Sequence, residues 1–362
     1  MKVAAYIAAR LAREGITHAY LVQGSCNNDI IYSIADQPDI EYICPIHEAA
    51  GGHMAEGWAK VSGKTGCVIT TSGPGGQNLV TAIANCWYDS VPVLFITGQV
   101  NSQFMRKNTE LRQLGFQEWP VVDCVQSITK YATQIRRADR VPWELDKALH
   151  KCREGRPGPV LLDIPLDVQR MEISGDPVPS GYSAPNAATH IYMDIYTPSL
   201  RMVVERLRTA ERPVILVGGG ARGAAQSLEI LAEIARVPLF PTWNALDIVT
   251  SDSPHYGGRV GTYGGPGRNF AIQNADFLLL VGCRLSGRIT GGKPATFARA
   301  AWKCFVNVDL ALLDPENQEV KADLNIHCDA GVFVQELERQ YRNTLSEHSI
   351  PPARMGWIAR VA

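Results

Sequence analysis

The sequence has no excess of positive charge, and this absence excludes whole classes of function. Its 362 residues include 35 lysines and arginines against 36 aspartates and glutamates, so the formal net charge is −1 at pH 7. A chain without a basic face has little attraction for nucleic acid or for an anionic membrane surface. We therefore predict that the protein binds no nucleic acid and recognises a small ligand in a local pocket.

Paired cysteines and long apolar runs are also missing. The nine cysteines are scattered without a C-x-x-C pair, which excludes the usual zinc and redox motifs and favours buried free thiols in a reducing compartment. No run reaches the roughly 18 apolar residues that a membrane-spanning helix needs. Arg10, Arg13 and Glu14 interrupt the first apolar stretch, so we interpret it as an amphipathic helix and not a signal peptide. We expect a cytoplasmic protein without membrane contact.

The length and the pattern of the chain predict two α/β domains. Single hydrophobic cores stop growing near roughly 250–300 residues, and strands alternate with helical stretches over residues 1–170 and again over 199–338. Such alternation is typical of doubly wound parallel sheets covered on both faces. Residues 171–198 are rich in Pro, Ser, Gly and Asn, which indicates a linker. We interpret residues 339–362 as a polar tail that ends in a helix at GWIARVA.

The apolar runs predict particular strands. In the first domain they are His18–Val22, Ile40–Ile46, Gly66–Thr70, Val91–Thr97 and a strand within GRPGPVLLDIPLDVQ (155–169). In the second domain they are Pro213–Val217, Val237–Pro241, Asp276–Gly282 and Lys303–Val308.

A carboxylate stands between a strand and a helix in HEAAGGHMAEGWAK (47–60). This places Glu48 at the carboxyl edge of the predicted sheet, where open α/β folds bind their ligands. The many Ala and Gly residues of the helix indicate that another group approaches its backbone closely. Taken alone, the segment also fits a first-turn glutamate that is stabilised by the helix dipole.

A second candidate segment, TTSGPGGQN (70–78), is a glycine- and proline-rich turn between a strand and a helix. Backbone amides at such a turn suit polar ligand groups. The Gly-Lys-Ser/Thr ending of a P-loop is absent, so a nucleotide-phosphate loop is excluded. By itself the segment indicates no more than a tight turn.

The order of these motifs is more specific than either motif alone. H-E, H-M-A-E-G-W-A, T-S-G-P-G, D-S-x-P-V and I-T-G-Q follow one another at close spacing, and the pattern continues in LRQLGFQE (111–118), ITKYA (128–132) and GRPGPVLLDIPLDV (155–168). This resembles the pyrimidine-binding domain of the acetolactate synthase group of thiamine-diphosphate enzymes, and the resemblance extends over essentially residues 1–340.

The resemblance implies a reaction and roles for matching residues. Glu48 stands where the family glutamate hydrogen-bonds N1′ of the aminopyrimidine ring and so promotes removal of the thiazolium C2 proton. Pro74 and Asn78 match the turn that lines the pyrimidine pocket, while Phe116 and Gln117 match a pair near the reacting carbon. The implied activity is decarboxylation and carboligation of pyruvate or a related 2-keto acid, with Glu48 and Gln117 as catalytic residues. One departure, the polar turn GSCNND (24–29) where the family has a glycine-rich turn, leaves the acceptor substrate open.

The second domain contains a glycine fingerprint, VGGGARG (217–223), in which Gly218, Gly220 and Gly223 fit G-x-G-x-x-G after a strand. The acidic residue expected about 20 positions later in a dinucleotide site is absent, which makes a nucleotide-dependent oxidoreductase the weaker alternative. By resemblance this is the central domain, which carries a structural FAD in acetolactate synthase. FAD is therefore a candidate cofactor, and its contacts would be Arg156, Gly218, Gly220, Arg284, Arg288 and Asp309.

The family's Mg²⁺-binding pattern, Gly-Asp-Gly followed by Asn-Asn, is not in this sequence. We therefore predict no metal ligand in the chain and expect Mg²⁺ and the cofactor diphosphate to be held by an absent pyrophosphate-binding domain, toward which the tail and its helix at GWIARVA lead. The chain alone would then be inactive, as a fragment, a truncated product or one subunit of a split enzyme. The resemblance implies a homodimer, a homotetramer or a complementary subunit. A non-catalytic protein of the same fold, which binds flavin or a partner subunit, is the alternative.

Overall fold

A computed structural model describes residues 1–107, 110–174, 180–184, 198–345 and 350–361. The chain divides into two compact units, Met1–Pro185 and Asn186–Ala362, and each unit is built on its own parallel sheet. The predicted fold class, two parallel-sheet α/β domains, is confirmed.

The first unit contains a six-stranded sheet in the order β2-β1-β3-β4-β6-β5. All of its pairings are parallel. The strands are β1 (His18–Leu21), β2 (Glu41–Ile43), β3 (Gly66–Thr70), β4 (Val93–Gln99), β5 (Tyr131–Gln134) and β6 (Val160–Pro165). The interior strands β3, β4 and β6 are buried along their whole length, as expected for a sheet with helices on both faces.

The helices of the first unit bury apolar stripes against the two faces of this sheet. They are α1 (Val3–Arg13), α2 (Asn28–Ala35), α3 (Glu48–Ser62), α4 (Pro74–Gln77), α5 (Val80–Asp89), α6 (Val121–Val125), α7 (Val141–Arg153) and α8 (Leu166–Arg170). In α1 the buried residues Val3, Ile7 and Leu11 recur at a spacing of one helical turn, so a single face of the helix packs on the core.

The second unit has a five-stranded sheet in the order β11-β10-β9-β7-β8, and its pairings are also parallel. The strands are β7 (Pro213–Val217), β8 (Leu239–Pro241), β9 (Phe277–Val281), β10 (Trp302–Asn307) and β11 (Leu324–His327). Its helices are α9 (Pro198–Thr209), α10 (Ala225–Ala235), α11 (Pro266–Asn274), α12 (Gly287–Thr290), α13 (Leu310–Leu313), α14 (Ala330–Asn343) and α15 (Pro352–Val361).

The segment predicted as a polar tail is different in the structure. α14 continues to Asn343, and α15 buries both Arg354 and Trp357 in the second unit. The Arg354 guanidinium donates to the carbonyls of Leu207 and Ala210 near the end of α9 and to that of Ala235 at the end of α10. A cation there is stabilised by the carbonyls that a helix leaves unpaired at its C-terminus.

Two strands were not predicted, and most of the predicted linker lies outside the described residues. β5 and β11 are short strands at sheet edges with largely half-buried residues. Residues 175–179 and 185–197 of the predicted linker are not described.

None of the helices within the described ranges is long and apolar enough to cross a membrane.

Candidate functional site

The order in which the chain adds strands to the first sheet reverses between β1 and β3. The carboxyl ends of these two strands therefore form a topological switch point. From β1 the chain moves to β2 on one side, and β3 then pairs with β1 on the other side. Ligands of open α/β sheets bind in the crevice at such a switch point. Glu48 follows β2 and the turn at residues 71–78 follows β3, so both candidate segments lie at this edge.

Glu48 is the first residue of α3 and is half-buried. The preceding residue, His47, caps the helix because its Nδ1 accepts a hydrogen bond from the Ala49 amide at 3.1 Å. Asn78 Nδ2 donates to Glu48 Oε2 at 2.9 Å. The other oxygen, Oε1, lies beside Gly75, where an added Cβ would be 3.6 Å away. One carboxylate oxygen is therefore oriented by an amide, and the other faces backbone that has no side chain.

The loop that carries Gln117 lies directly against the glycine-rich turn. A Cβ added to Gly73 would be 2.7 Å from the Gln117 carbonyl oxygen, and one added to Gly76 would be 3.3 Å from the Trp119 ring. Gly73 has a φ of +60° and Gln117 one of +61°, a region that favours glycine and is uncommon for other residues. Glycine at position 73 thus allows both the turn and the contact.

The structure therefore brings four of the predicted site residues to one edge of the sheet. Pro74 is the first residue of the short helix α4, Asn78 contacts Glu48, and Gln117 rests on the turn. Phe116 precedes Gln117 with 84% of its side chain exposed, so it presents a free aromatic ring beside the same loop.

The polar turn after β1 is held by its own side chains. Asn27 is fully buried, and its amide donates to the Val22 carbonyl at 3.0 Å while its Oδ1 accepts from the Gly24 amide at 2.9 Å. The Cys26 amide donates to Thr71 Oγ1 at 3.2 Å. Asn27 therefore shapes the turn, and its side chain has no free group for a substrate.

A buried carboxylate in the second half of β6 was not among the predicted site residues. Asp163 is 1% exposed, and its oxygens accept from Thr97 Oγ1 at 2.7 Å, Gln134 Nε2 at 2.7 Å and Gln99 Nε2 at 3.2 Å. Burial raises the pKa of Asp163 to about 6, although these hydrogen bonds act in the opposite direction. The signal was present in the sequence, since an aspartate interrupts the apolar run VLLDIP.

Arg156 lies at the other end of the first sheet. It precedes β6, and its Nε donates to Ser90 Oγ at 2.7 Å just after α5. Both positions are at the amino ends of the strands, away from Glu48. The remaining predicted flavin contacts belong to the second unit.

The glycine fingerprint of the second unit is occupied by contacts within the chain. A Cβ on Gly218 would be 2.2 Å from the Gly282 carbonyl oxygen, and one on Gly220 would be 3.0 Å from the same atom. Both amides donate to neighbouring backbone, Gly218 to Val281 at 2.8 Å and Gly220 to Gly282 at 3.0 Å. These glycines are therefore explained by close packing of two loops, and their N–H groups are already used.

Charged side chains surround the carboxyl edge of the second sheet. Arg284 is exposed and lines a cavity of about 340 Å³ together with Ser286, Gly287 and Gln318. Arg288 is exposed and lies 5.8 Å from the centre of the Tyr263 ring. Asp309 caps α13, since its Oδ1 accepts from the Ala311 amide at 3.0 Å. Arg284 and Arg288 thus remain accessible to an anionic ligand.

Comparison with known families decides the identity of the fold. Residues 1–123 match the N-terminal TPP-binding domain of thiamine pyrophosphate enzymes, and residues 200–337 match the central domain of the same enzymes. The chain belongs to the thiamine pyrophosphate enzyme family. The resemblance that the sequence motifs indicated is confirmed.

Relatives of the chain carry the name acetolactate synthase. It is 33% identical over 93% of its length to a probable acetolactate synthase large subunit of Methanocaldococcus jannaschii. It is 32% identical over 90% of its length to the acetolactate synthase isozyme 2 large subunit of Escherichia coli. The chain spans 56% and 58% of these two relatives, a little over half of their length.

Within the described ranges, no group of three or more His, Cys, Asp or Glu could hold a metal ion.

Proposed function

We propose that this chain supplies the pyrimidine-binding and central parts of an acetolactate synthase-like enzyme, which decarboxylates pyruvate or a related 2-keto acid and joins the product to an acceptor. The family match and the relatives' names support the thiamine-dependent chemistry. The single observation that carries the proposal is the Glu48 carboxylate, oriented by Asn78 at the switch point of the first sheet.

The residues around Glu48 fit the aminopyrimidine ring of thiamine pyrophosphate. The carboxyl group can hold a proton on the oxygen next to Gly75, where an added Cβ would lie 3.6 Å from Glu48 Oε1 and 2.9 Å from Thr71 Cγ2, so that a side chain at position 75 would crowd this oxygen. Asn78 keeps the other oxygen in place. When bound, the cofactor supplies an electron sink for loss of carbon dioxide from the keto acid.

The chain's own contribution is to position groups and to move a proton. We propose that Glu48 donates its hydrogen bond to the ring nitrogen N1′, a form of acid catalysis that typically contributes roughly 10²–10⁴-fold in rate. Pro74 and the turn that follows it form one wall of the ring site. Phe116 shields the reacting carbon from water, and Gln117 hydrogen-bonds to the keto acid.

We propose that Mg²⁺ and the cofactor diphosphate are held outside the described residues, by a pyrophosphate-binding domain or a complementary subunit. Mg²⁺ prefers oxygen ligands, and the residues that the structure describes offer no group of three or more His, Cys, Asp or Glu for a metal ion. The active assembly would be a homodimer, a homotetramer or a complex with that subunit, and the isolated chain would be inactive.

FAD is proposed as a second, structural ligand of the second unit. The exposed Arg284 and Arg288 fit the phosphates of such a ligand, and the cavity beside Arg284 offers space. Gly218 and Gly220 do not fit as phosphate donors, because their amides are engaged within the chain. A flavin absorbance spectrum of the purified protein, lost in Arg284→Ala, is the expected result; a colourless protein that binds no added FAD contradicts it.

The enzyme proposal is tested by turnover. The complete protein, with any further domain or subunit present, is incubated with thiamine pyrophosphate, Mg²⁺ and pyruvate, and released carbon dioxide and the joined product are measured. We expect cofactor-dependent release that Glu48→Gln abolishes. Glu41→Gln is the matched control. It makes the same chemical change on a glutamate of β2 whose side chain is 70% exposed and lies beside His18. Absence of release over a panel of 2-keto acids would instead favour the non-catalytic alternative.

A further inference from the structure

Asp163 is a buried carboxylate that the proposed reaction does not use. It stands in the second half of β6, two strands away from β3 in the sheet. An ionised carboxylate is costly to bury unless hydrogen bonds satisfy it. Here three neutral donors do so, Thr97 and Gln99 on β4 and Gln134 on β5. The arrangement raises the question of what these donors are held in place for.

Gln99 links this carboxylate to the candidate site. Its Nε2 donates both to Asp163 Oδ2 at 3.2 Å and to the Trp119 carbonyl at 3.0 Å, and its Oε1 accepts from the Val100 amide at 3.0 Å. The side-chain amide therefore has only one workable orientation. A flipped amide would set Oε1 against two acceptors and leave the Val100 amide facing a donor. Asp163 is thus one of three groups, with the Trp119 carbonyl and the Val100 amide, that fix the direction in which Gln99 points.

Trp119 in turn holds the loop that carries Gln117. Its ring lies against Gly76, and the Gln117 backbone lies against Gly73. The same turn ends at Asn78, which donates to Glu48. A continuous series of contacts therefore runs from the buried carboxylate through Gln99 and the loop to the turn beside Glu48.

We propose that Asp163 is a positioning residue, which acts through Gln99 to hold the loop at residues 115–119, and with it Gln117, against the turn beside Glu48. The inference rests on the proposed function, because it gives Gln117 a task in the reaction. Asp163 itself touches neither substrate nor cofactor. Its effect on turnover is transmitted by one hydrogen bond to the Trp119 carbonyl.

Protonation of Asp163 should weaken this arrangement. A proton on either oxygen removes the negative charge, so the bonds from Gln99 and Gln134 are no longer charge-assisted and become weaker. The charged group that faces Asp163 is Arg136, which follows β5 and donates to Gln134 Oε1 at 2.9 Å. On α8, Asp167 accepts from Ser102, and Arg170 pairs with Asp29. Because burial raises the pKa of Asp163 to about 6, the loop should loosen in mildly acidic solution.

Two variants that remove one donor each from the same carboxylate oxygen test the proposal in the complete enzyme. Gln99→Met deletes the bonds to Asp163 and to Trp119 and the bond from the Val100 amide, whereas Gln134→Met deletes a bond to Asp163 and the bond from Arg136 and leaves Trp119 untouched. We expect Gln99→Met to lower kcat by roughly 10–100-fold, the cost of a misplaced catalytic loop, with KM changed less than threefold. Gln134→Met should keep the kcat of the wild type at pH 8.

The pH profile separates positioning from a general loss of structure. Since the bond from Gln134 lowers the pKa of Asp163, its removal should move the acidic limb of kcat to higher pH in Gln134→Met. Equal kcat losses in both variants, or an acidic limb that stays in place, would overturn the proposal. Should Gln99→Met fail to fold, amide hydrogen exchange of the wild-type loop at pH 5 and pH 8, corrected for the intrinsic rates, decides the matter. Faster corrected exchange at pH 5 is expected, and unchanged exchange overturns the inference.

Failure of this inference is distinguishable from failure of the proposed function. If Glu48→Gln abolishes turnover while Gln99→Met does not affect it, the enzyme assignment stands and the role of Asp163 is wrong. If the complete protein turns over no 2-keto acid, the proposed function itself is wrong. The hydrogen-exchange result at the loop then still reports whether Asp163 controls the loop.

Discussion

The buried carboxyl group of Asp163 should make the stability of the first unit depend on pH in an unusual direction. Burial raises its pKa from 3.8 to about 6, so the folded chain holds this proton more tightly than the unfolded chain does. The contribution to the free energy of unfolding is complete below pH 4 and is lost as the pH rises through 6. Most carboxyl groups, whose pKa values fall on folding, contribute in the opposite sense.

The size of the effect follows from the two pKa values. Between pH 7 and pH 5 the proton linkage of a single group shifted from 3.8 to about 6 adds about 1.3 kcal/mol to the free energy of unfolding. The assay is urea unfolding of the wild type and of Asp163→Asn at both pH values. Asparagine does not titrate, so the difference between the two proteins isolates Asp163 from the other acids.

We expect the stability of the wild type relative to Asp163→Asn to increase by about 1.3 kcal/mol when the pH is lowered from 7 to 5. The variant's absolute stability is not the test, because the neutral amide changes the hydrogen bonds with Thr97, Gln99 and Gln134 at every pH. A relative stability that stays constant or decreases on acidification would refute the reasoning that Asp163 is buried and titrates near pH 6.

Three further predictions concern single side chains. Arg354→Met should lower the free energy of unfolding by about 3 kcal/mol in urea titrations, since it removes several charge-assisted hydrogen bonds to buried carbonyls; a loss below 1 kcal/mol would contradict the role of Arg354. Gly218→Ala should destabilise the second unit by about 2 kcal/mol in thermal melts, because the added Cβ would clash with the Gly282 carbonyl. Gly223→Ala is the control and should be tolerated, because its added Cβ meets nothing within 4 Å. Asn78→Ala should reduce kcat of the complete enzyme roughly fivefold, because loss of its hydrogen bond to Glu48 costs about 1 kcal/mol; unchanged kcat would show that the carboxylate is oriented by other groups.

Much of the fold could be predicted because apolar runs identify buried parallel strands. The predictions for Gly66–Thr70 and Pro213–Val217 coincide with β3 and β7. The strand predicted at Ile40–Ile46 is observed only as Glu41–Ile43. Edge strands β5 and β11 carry mixed polar residues and lack an apolar run, so pattern alone could not identify them.

The second unit shows why the packing of α15 was not predicted, although a helix at GWIARVA was. The ten residues of α15 include two arginines, and the whole segment was interpreted as a polar tail. The Arg354 guanidinium is buried only because the ends of α9 and α10 converge on it with free carbonyls. That convergence is a property of the tertiary structure and has no local signature.

The candidate site was predictable where a motif coincides with a sheet edge. Glu48 and Asn78 belong to consecutive strand–helix turns, and their contact follows from the order of the strands. The left-handed backbone of Gln117 and the bond from Gln99 to Trp119 depend on distant segments that meet. Asp163 was overlooked because its partners come from other strands of the sheet.

The most direct test of the central claim is the rate at which the C2 proton of thiamine pyrophosphate exchanges with deuterium. It is measured by NMR on the complete enzyme, with Mg²⁺ present and no keto acid. We predict fast exchange in the wild type and in the Glu41→Gln control, and exchange slowed by roughly 10²–10⁴-fold in Glu48→Gln. Exchange in Glu48→Gln at the rate of the wild type would contradict the assignment of Glu48 as the residue that activates the cofactor.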